Sequence, residues 1–90
     1  MEFEEFKKKF ENTKEKFSYS DSILFCSHGM FYSDGGVLQA NFYVSQHKDG
    51  KYQITTLIEG CSIDKYNTLE EAYKALKGIC KLNGVEMEWL

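Results

Sequence analysis

Two alternating runs joined by Lys48-Asp49-Gly50 constrain this chain more than any other feature. Residues 37–46 place Leu38, Ala40, Phe42 and Val44 on one side of an extended strand, with Gln39, Asn41, Tyr43 and Ser45 on the other. Residues 51–59 repeat the pattern with Tyr52, Ile54, Thr56 and Ile58 in phase. Bringing both apolar sets onto one face requires Val44 to oppose Ile54, and hence an odd-numbered loop. Lys48-Asp49-Gly50 supplies one, with Gly50 at the position of a three-residue turn that needs a left-handed backbone. Turn chemistry and hydrophobic phase agree on one antiparallel hairpin with a defined core face.

Upstream, Ser33-Asp34-Gly35-Gly36 signals a second hairpin. A two-residue Asp34-Gly35 turn sets Phe31 opposite Leu38, Gly29 opposite Ala40, Ser27 opposite Phe42 and Phe25 opposite Val44. Small residues then face large ones on one covered surface. A slip of one residue would turn Cys26 and Met30 inward instead.

The flanks are helical. Residues 2–17 carry Phe3, Phe6, Phe10 and Phe17 on one stripe, supported by Glu4–Lys8 and Glu5–Lys9 pairs one turn apart. Thr68 and Glu71 form a capping box, Leu69, Ala72, Tyr73, Leu76, Ile79 and Cys80 make a second stripe, and Asn83-Gly84 ends it. Residues 60–67 read as a connection, with a short strand at 61–63 as an option. In the tail, Val85, Met87 and Trp89 alternate with Glu86 and Glu88, which suits either a short strand or a tail packed by Trp89. The predicted fold is α+β: one compact domain over residues 1–90, with a helix, a three-stranded antiparallel meander and a helix, and with a short C-terminal strand as an addition. Seven Phe, six Tyr and one Trp give a chain of 90 residues enough apolar area for a core.

Charge narrows the function classes. The net charge is −3, all 11 basic residues are lysine, and the chain has neither arginine nor proline. Nucleic-acid binders favour a basic face and use arginine for bidentate contacts to phosphate and guanine. Cys26, Cys61 and Cys80 have no metal-site spacing and read as reduced thiols. The amino terminus is charged from Glu2 onward, so no leader is expected. No apolar run approaches the roughly 20 residues of a membrane span. A cytoplasmic location is the expectation, with no metal and no cofactor.

The candidate site is the sheet face turned away from the helices. It would present His28, Met30 and Tyr32 from the first strand, Gln39, Asn41 and Tyr43 from the second, and Gln53 and Thr55 from the third, with Cys26 and Leu57 alongside. Aromatic, thioether and amide groups with few charges suit recognition of another protein. Cys26 and His28 share a strand face, the geometry of a Cys-His pair or half a metal site, but the sequence places no orienting carboxylate or further ligand beside them. His47, next to a turn, is expected to be solvated. Asp34, Asp49 and Asp64 are expected to form turns, and Gly35-Gly36 lies in a hairpin, not at a phosphate-binding helix start.

In its element order the chain resembles a double-stranded-RNA-binding domain, a family that places lysines at the start of its last helix. The matching stretch is Thr68-Leu69-Glu70-Glu71-Ala72, acidic where that family is basic. Residues 41–76, with the Lys48-Asp49-Gly50-Lys51-Tyr52 turn, are similar in layout to the arm-binding domain of phage integrases, whose sheet is basic. No functional residue carries over from either. The expected function is a non-enzymatic protein–protein interaction module: a small inhibitor, an antitoxin or immunity-type protein, or a phage-encoded anti-defence protein. Its partner would be another protein, with a basic surface as one candidate and a second copy of the chain as another. The alternatives are a small-molecule binder or Cys-His enzyme built on Cys26 and His28, and a nucleic-acid-binding domain.

Overall fold

The computed structural model describes residues 1–33, 35, 39–56 and 65–90. The elements run α1 (Phe3–Thr13), β1 (Glu15–Lys16), β2 (Ile23–Tyr32), β3 (Gln39–His47), β4 (Tyr52–Thr56), β5 (Lys65–Tyr66), α2 (Leu69–Asn83) and β6 (Glu86–Trp89). The class is α+β, with two helices and an antiparallel sheet. The predicted meander, β2-β3-β4, is only the middle of that sheet. β5 extends it beyond β4, and β1 and β6 both pair with β2 on its other side. β1 takes Phe25 and Cys26, whereas β6 takes Gly29 to Tyr32.

The β3–β4 hairpin matches its prediction pair by pair. Val44 opposes Ile54 and Gln46 opposes Tyr52. His47 N donates to Lys51 O at 2.8 Å, Gly50 N donates to His47 O at 3.0 Å, and Gly50 has φ +86°. Asp49 Oδ1 accepts from Lys51 N at 2.9 Å, the side-chain turn expected of it.

The β2–β3 hairpin keeps the predicted faces but not the predicted partners. Phe31 opposes Ala40, Gly29 opposes Phe42, Ser27 opposes Val44 and Phe25 opposes Gln46, a shift of two residues. Because side chains alternate with period two, that shift leaves every inward residue inward. Its physical reason is Phe42. The ring lies across Gly29, where an added Cβ would stand 2.1 Å from Phe42 Cζ. The register therefore sets the core-facing ring of β3 against the residue with no side chain. Asp34, Gly36 and Leu38, on which the predicted turn relied, lie outside the described residues, as do Leu57, Ile58, Asp64 and the optional strand at 61–63.

Helix α1 ends four residues earlier than the phenylalanine spacing suggested. Lys14 is already extended (φ −64°, ψ 138°), and Glu15 and Lys16 pair with β2 instead of continuing the helix. Phe17 leaves the stripe: its N–H donates to Leu24 O at 2.9 Å beside the β2 irregularity at Ile23–Phe25, and its ring meets Tyr19. Strand pairing satisfies backbone groups that a fourth helical turn would have satisfied, and it also closes the sheet edge.

Helix α2 follows its signals throughout. Thr68 Oγ1 accepts from Glu71 N at 3.1 Å, and the Glu71 carboxylate reaches back to Asn67 N at 3.2 Å, one residue beyond the standard box. Gly84 ends the helix at φ 62°, and the buried face is the predicted stripe.

Both helices cover one face of the sheet. Phe6 and Phe10 of α1 and Leu69, Ala72, Tyr73 and Leu76 of α2 share one core with Phe31, Phe42, Val44, Ile54 and Met87 of the strands. β6 is a strand and is packed by Trp89 as well. That indole meets Phe6 edge-on at 5.1 Å and Phe42 at 5.2 Å. Below it, Trp89 Nε1 donates to Ser27 Oγ at 2.7 Å, Ser27 and Thr13 hydroxyls meet at 2.6 Å, and Thr13 Oγ1 donates to Lys9 O at 2.6 Å. Since the Thr13 proton goes to Lys9, Ser27 donates to Thr13. A single relay thus joins β6, β2 and α1 through a buried serine.

Candidate functional site

The register brings all eight predicted site residues onto the sheet face opposite the helices. His28, Tyr43 and Thr55 stand in one row across β2, β3 and β4. Met30 stands beside Asn41, Tyr32 beside Gln39, and Ser45 beside Gln53. The rings of His28 and Tyr43 stack at 4.6 Å with planes 10° apart, forming the centre of the face. Tyr43 remains 41% exposed, and Gln39, Asn41 and Thr55 are exposed around it. Beside Tyr43 lies a hollow of about 530 Å³, lined among the described residues by Gln39, Ala40, Asn41, Tyr43, Thr55 and Thr56.

Gln53 is already engaged within the fold. It is half-buried, and its Oε1 meets His47 Nε2 at 3.0 Å. His47 itself is 5% exposed, contrary to the solvated position expected of a residue beside a turn. The start of β2 closes over that end of β3: Ile23 pairs with His47, and Lys48 N donates to Ser22 O at 2.8 Å. His47 Nδ1 is enclosed without a hydrogen-bond partner.

Cys26 and His28 do share this face, and the structure adds a carboxylate near them. Glu15 pairs with Cys26 across the β1–β2 ladder. Together with Thr13 and Leu90, these residues line a hollow of about 300 Å³ where β1 has ended and β6 has not begun. The chemistry there does not favour a nucleophile. Burial pushes the Cys26 thiol above its ordinary range, outweighing the hydrogen bond from Ser45 Oγ at 3.8 Å, and the negative charge of Glu15 pushes the same way. His28 Nε2 is enclosed and makes no hydrogen bond, to the thiol or to any other described group. Among the described residues, no three His, Cys, Asp or Glu side chains gather to hold a metal ion. Likewise, no described helix is long and apolar enough to cross a membrane.

Three carboxylates belong to this face that the predicted site omits. Glu86 stands beside Tyr32 and accepts its hydroxyl at 3.3 Å, Glu88 stands beside Met30, and Glu15 beside Cys26. The alternation of the tail carried the signal for Glu86 and Glu88. Glu15 had none, because it fell inside the predicted first helix. At the far corner of the face, beside the β3–β4 turn, Lys65 pairs with Asp49 at 3.4 Å. A second groove, of about 660 Å³, lies at the end of α2, where Lys77, Gly78 and Lys81 meet Tyr32 and Glu86 at the border of this face.

Comparison with known protein families, with curated proteins and with solved structures finds no match for this chain.

Proposed function

We propose that this protein is a non-enzymatic interaction module that captures a partner protein on the outer face of its sheet, as a small inhibitor or an antitoxin or immunity-type protein would. One observation carries the reading. Both helices lie on the other face, while the outer one holds an ordered His28–Tyr43 stack bordered by exposed Gln39, Asn41 and Thr55 with no charge among them. A paired aromatic with an exposed edge among neutral amides and hydroxyls offers contact area at low desolvation cost, the composition typical of interface centres. The raised Cys26 thiol weighs against thiol chemistry, and the carboxylates along one border weigh against a phosphate backbone as ligand.

The test is affinity capture with the wild-type protein and with Tyr43→Ala and Tyr32→Ala as baits, after circular dichroism shows all three folded. A partner retained by the wild type and lost by both variants supports the reading. Equal retention by all three baits removes the outer face from consideration.

A further inference from the structure

The outer face is not neutral throughout, and its asymmetry identifies what it would accept. Along the β1/β6 border, Glu15 stands beside Cys26, and, past the gap at His28, Glu88 and Glu86 stand beside Met30 and Tyr32. All three glutamates are exposed. The interior of the face carries the His28–Tyr43 stack with amides around it, and Lys65 stands at the opposite corner against Asp49. A partner seated across these rows therefore meets π-surface at the centre and carboxylate along one side.

We propose that the occupant is an arginine-bearing protein surface, with guanidinium groups seated against Tyr43 and its neighbouring hollow and further basic side chains paired along the Glu15–Glu88–Glu86 border. This rests on the outer face being the binding surface. Arginine suits both halves: its planar cation stacks on aromatic faces and its fork pairs with carboxylates, whereas lysine offers a hydrated point charge without the stacking. A second copy of the chain fits poorly. Antiparallel pairing of two β6 strands would set Glu86 of one copy against Glu88 of the other, and like charges directly opposite are destabilising. Nucleic acid fits worse, since the same border repels phosphate.

The experiment is an NMR titration of the ¹⁵N-labelled 90-residue chain with blocked octa-arginine, blocked octa-lysine and a short DNA duplex as probes. Octa-arginine is expected to shift amides of β2, β3 and β6 and to bind more tightly than octa-lysine. Its affinity should fall roughly tenfold in Glu15→Gln/Glu86→Gln/Glu88→Gln, several-fold in Tyr43→Ala, and less than about twofold in Glu4→Gln/Glu5→Gln/Glu70→Gln, which removes as many charges from the helices. Equal weakening by the two triple variants would mean that net charge alone binds the peptide and would overturn the proposal. So would tighter binding of the duplex, or a protein dimer whose contacts map to the same face. The two levels of inference fail separately. If Tyr43→Ala loses a captured partner but the outer triple variant keeps it, the basic partner falls and the face stands. If Tyr43→Ala changes neither capture nor titration, both fall.

Discussion

Phe42 lies across the backbone of Gly29, so close that a methyl group on Gly29 would stand 2.1 Å from the end of the ring. The same ring is tilted against Phe31 at 4.7 Å and edge-on to Trp89 at 5.2 Å. It cannot retreat into either neighbour, so the contact sets the pairing of β2 with β3.

Gly29→Ala should therefore destabilise the protein by about 1–3 kcal/mol, the range of overpacked cores. Phe42→Leu in the same chain should recover part of that loss, although Phe42→Leu alone is destabilising. Urea denaturation of the two single variants and the double variant checks this. Additive losses would mean that the ring and the glycine do not constrain each other.

The Trp89–Ser27–Thr13 relay predicts a second non-additive group. Ser27 is 1% exposed and is held between a donor on β6 and an acceptor on α1. Ser27→Ala should cost about 1–3 kcal/mol, because it leaves the Trp89 N–H enclosed without a partner. Trp89→Phe in the Ser27→Ala background should then cost less than in the wild type, read by thermal and urea unfolding.

The thiols give a pH signature. Burial raises both Cys26 and Cys80 above the ordinary thiol range. A raised folded value means that stability is fully present below the unfolded thiol pKa and is lost as pH rises through the folded one. Stability should thus decline on the alkaline side, and less steeply in Cys26→Ser. In a Cys61→Ser background, maleimide labelling of Cys26 should need higher pH than a free cysteine does; fast labelling near neutrality would revive a chemical role for this residue.

Asp49 acts in the opposite direction. The Lys51 N–H holds its carboxyl below the usual range, with Lys65 assisting. Its contribution is present above the unfolded carboxyl pKa and is lost as pH falls through the folded value. Asp49→Asn keeps the side-chain turn but removes this titration, so the acid limb of its stability profile should be flatter than that of the wild type.

Much of this architecture was legible before any coordinates. The Lys48-Asp49-Gly50 turn, the Val44–Ile54 pair, both caps of α2 and its buried stripe follow from local rules, because turn geometry and helical period act over only a few residues. The eight residues of the candidate face followed too, since alternation assigns faces even when partners are misjudged by two positions. What lay out of reach was decided between distant segments. The β2–β3 register depends on the Phe42 ring meeting Gly29 across the sheet. The early end of α1 depends on β2 offering an edge to Glu15 and Lys16, which phenylalanine spacing within the segment does not register. The burial of His47 depends on the start of β2 closing over it. The acidic border of the outer face exists only because β1 and β6, from opposite ends of the chain, pair with the same strand. Local sequence determined which side chains share a surface. Tertiary pairing determined what borders that surface, because only the folded sheet brings residues some 70 positions apart, such as Glu15 and Glu86, to one edge.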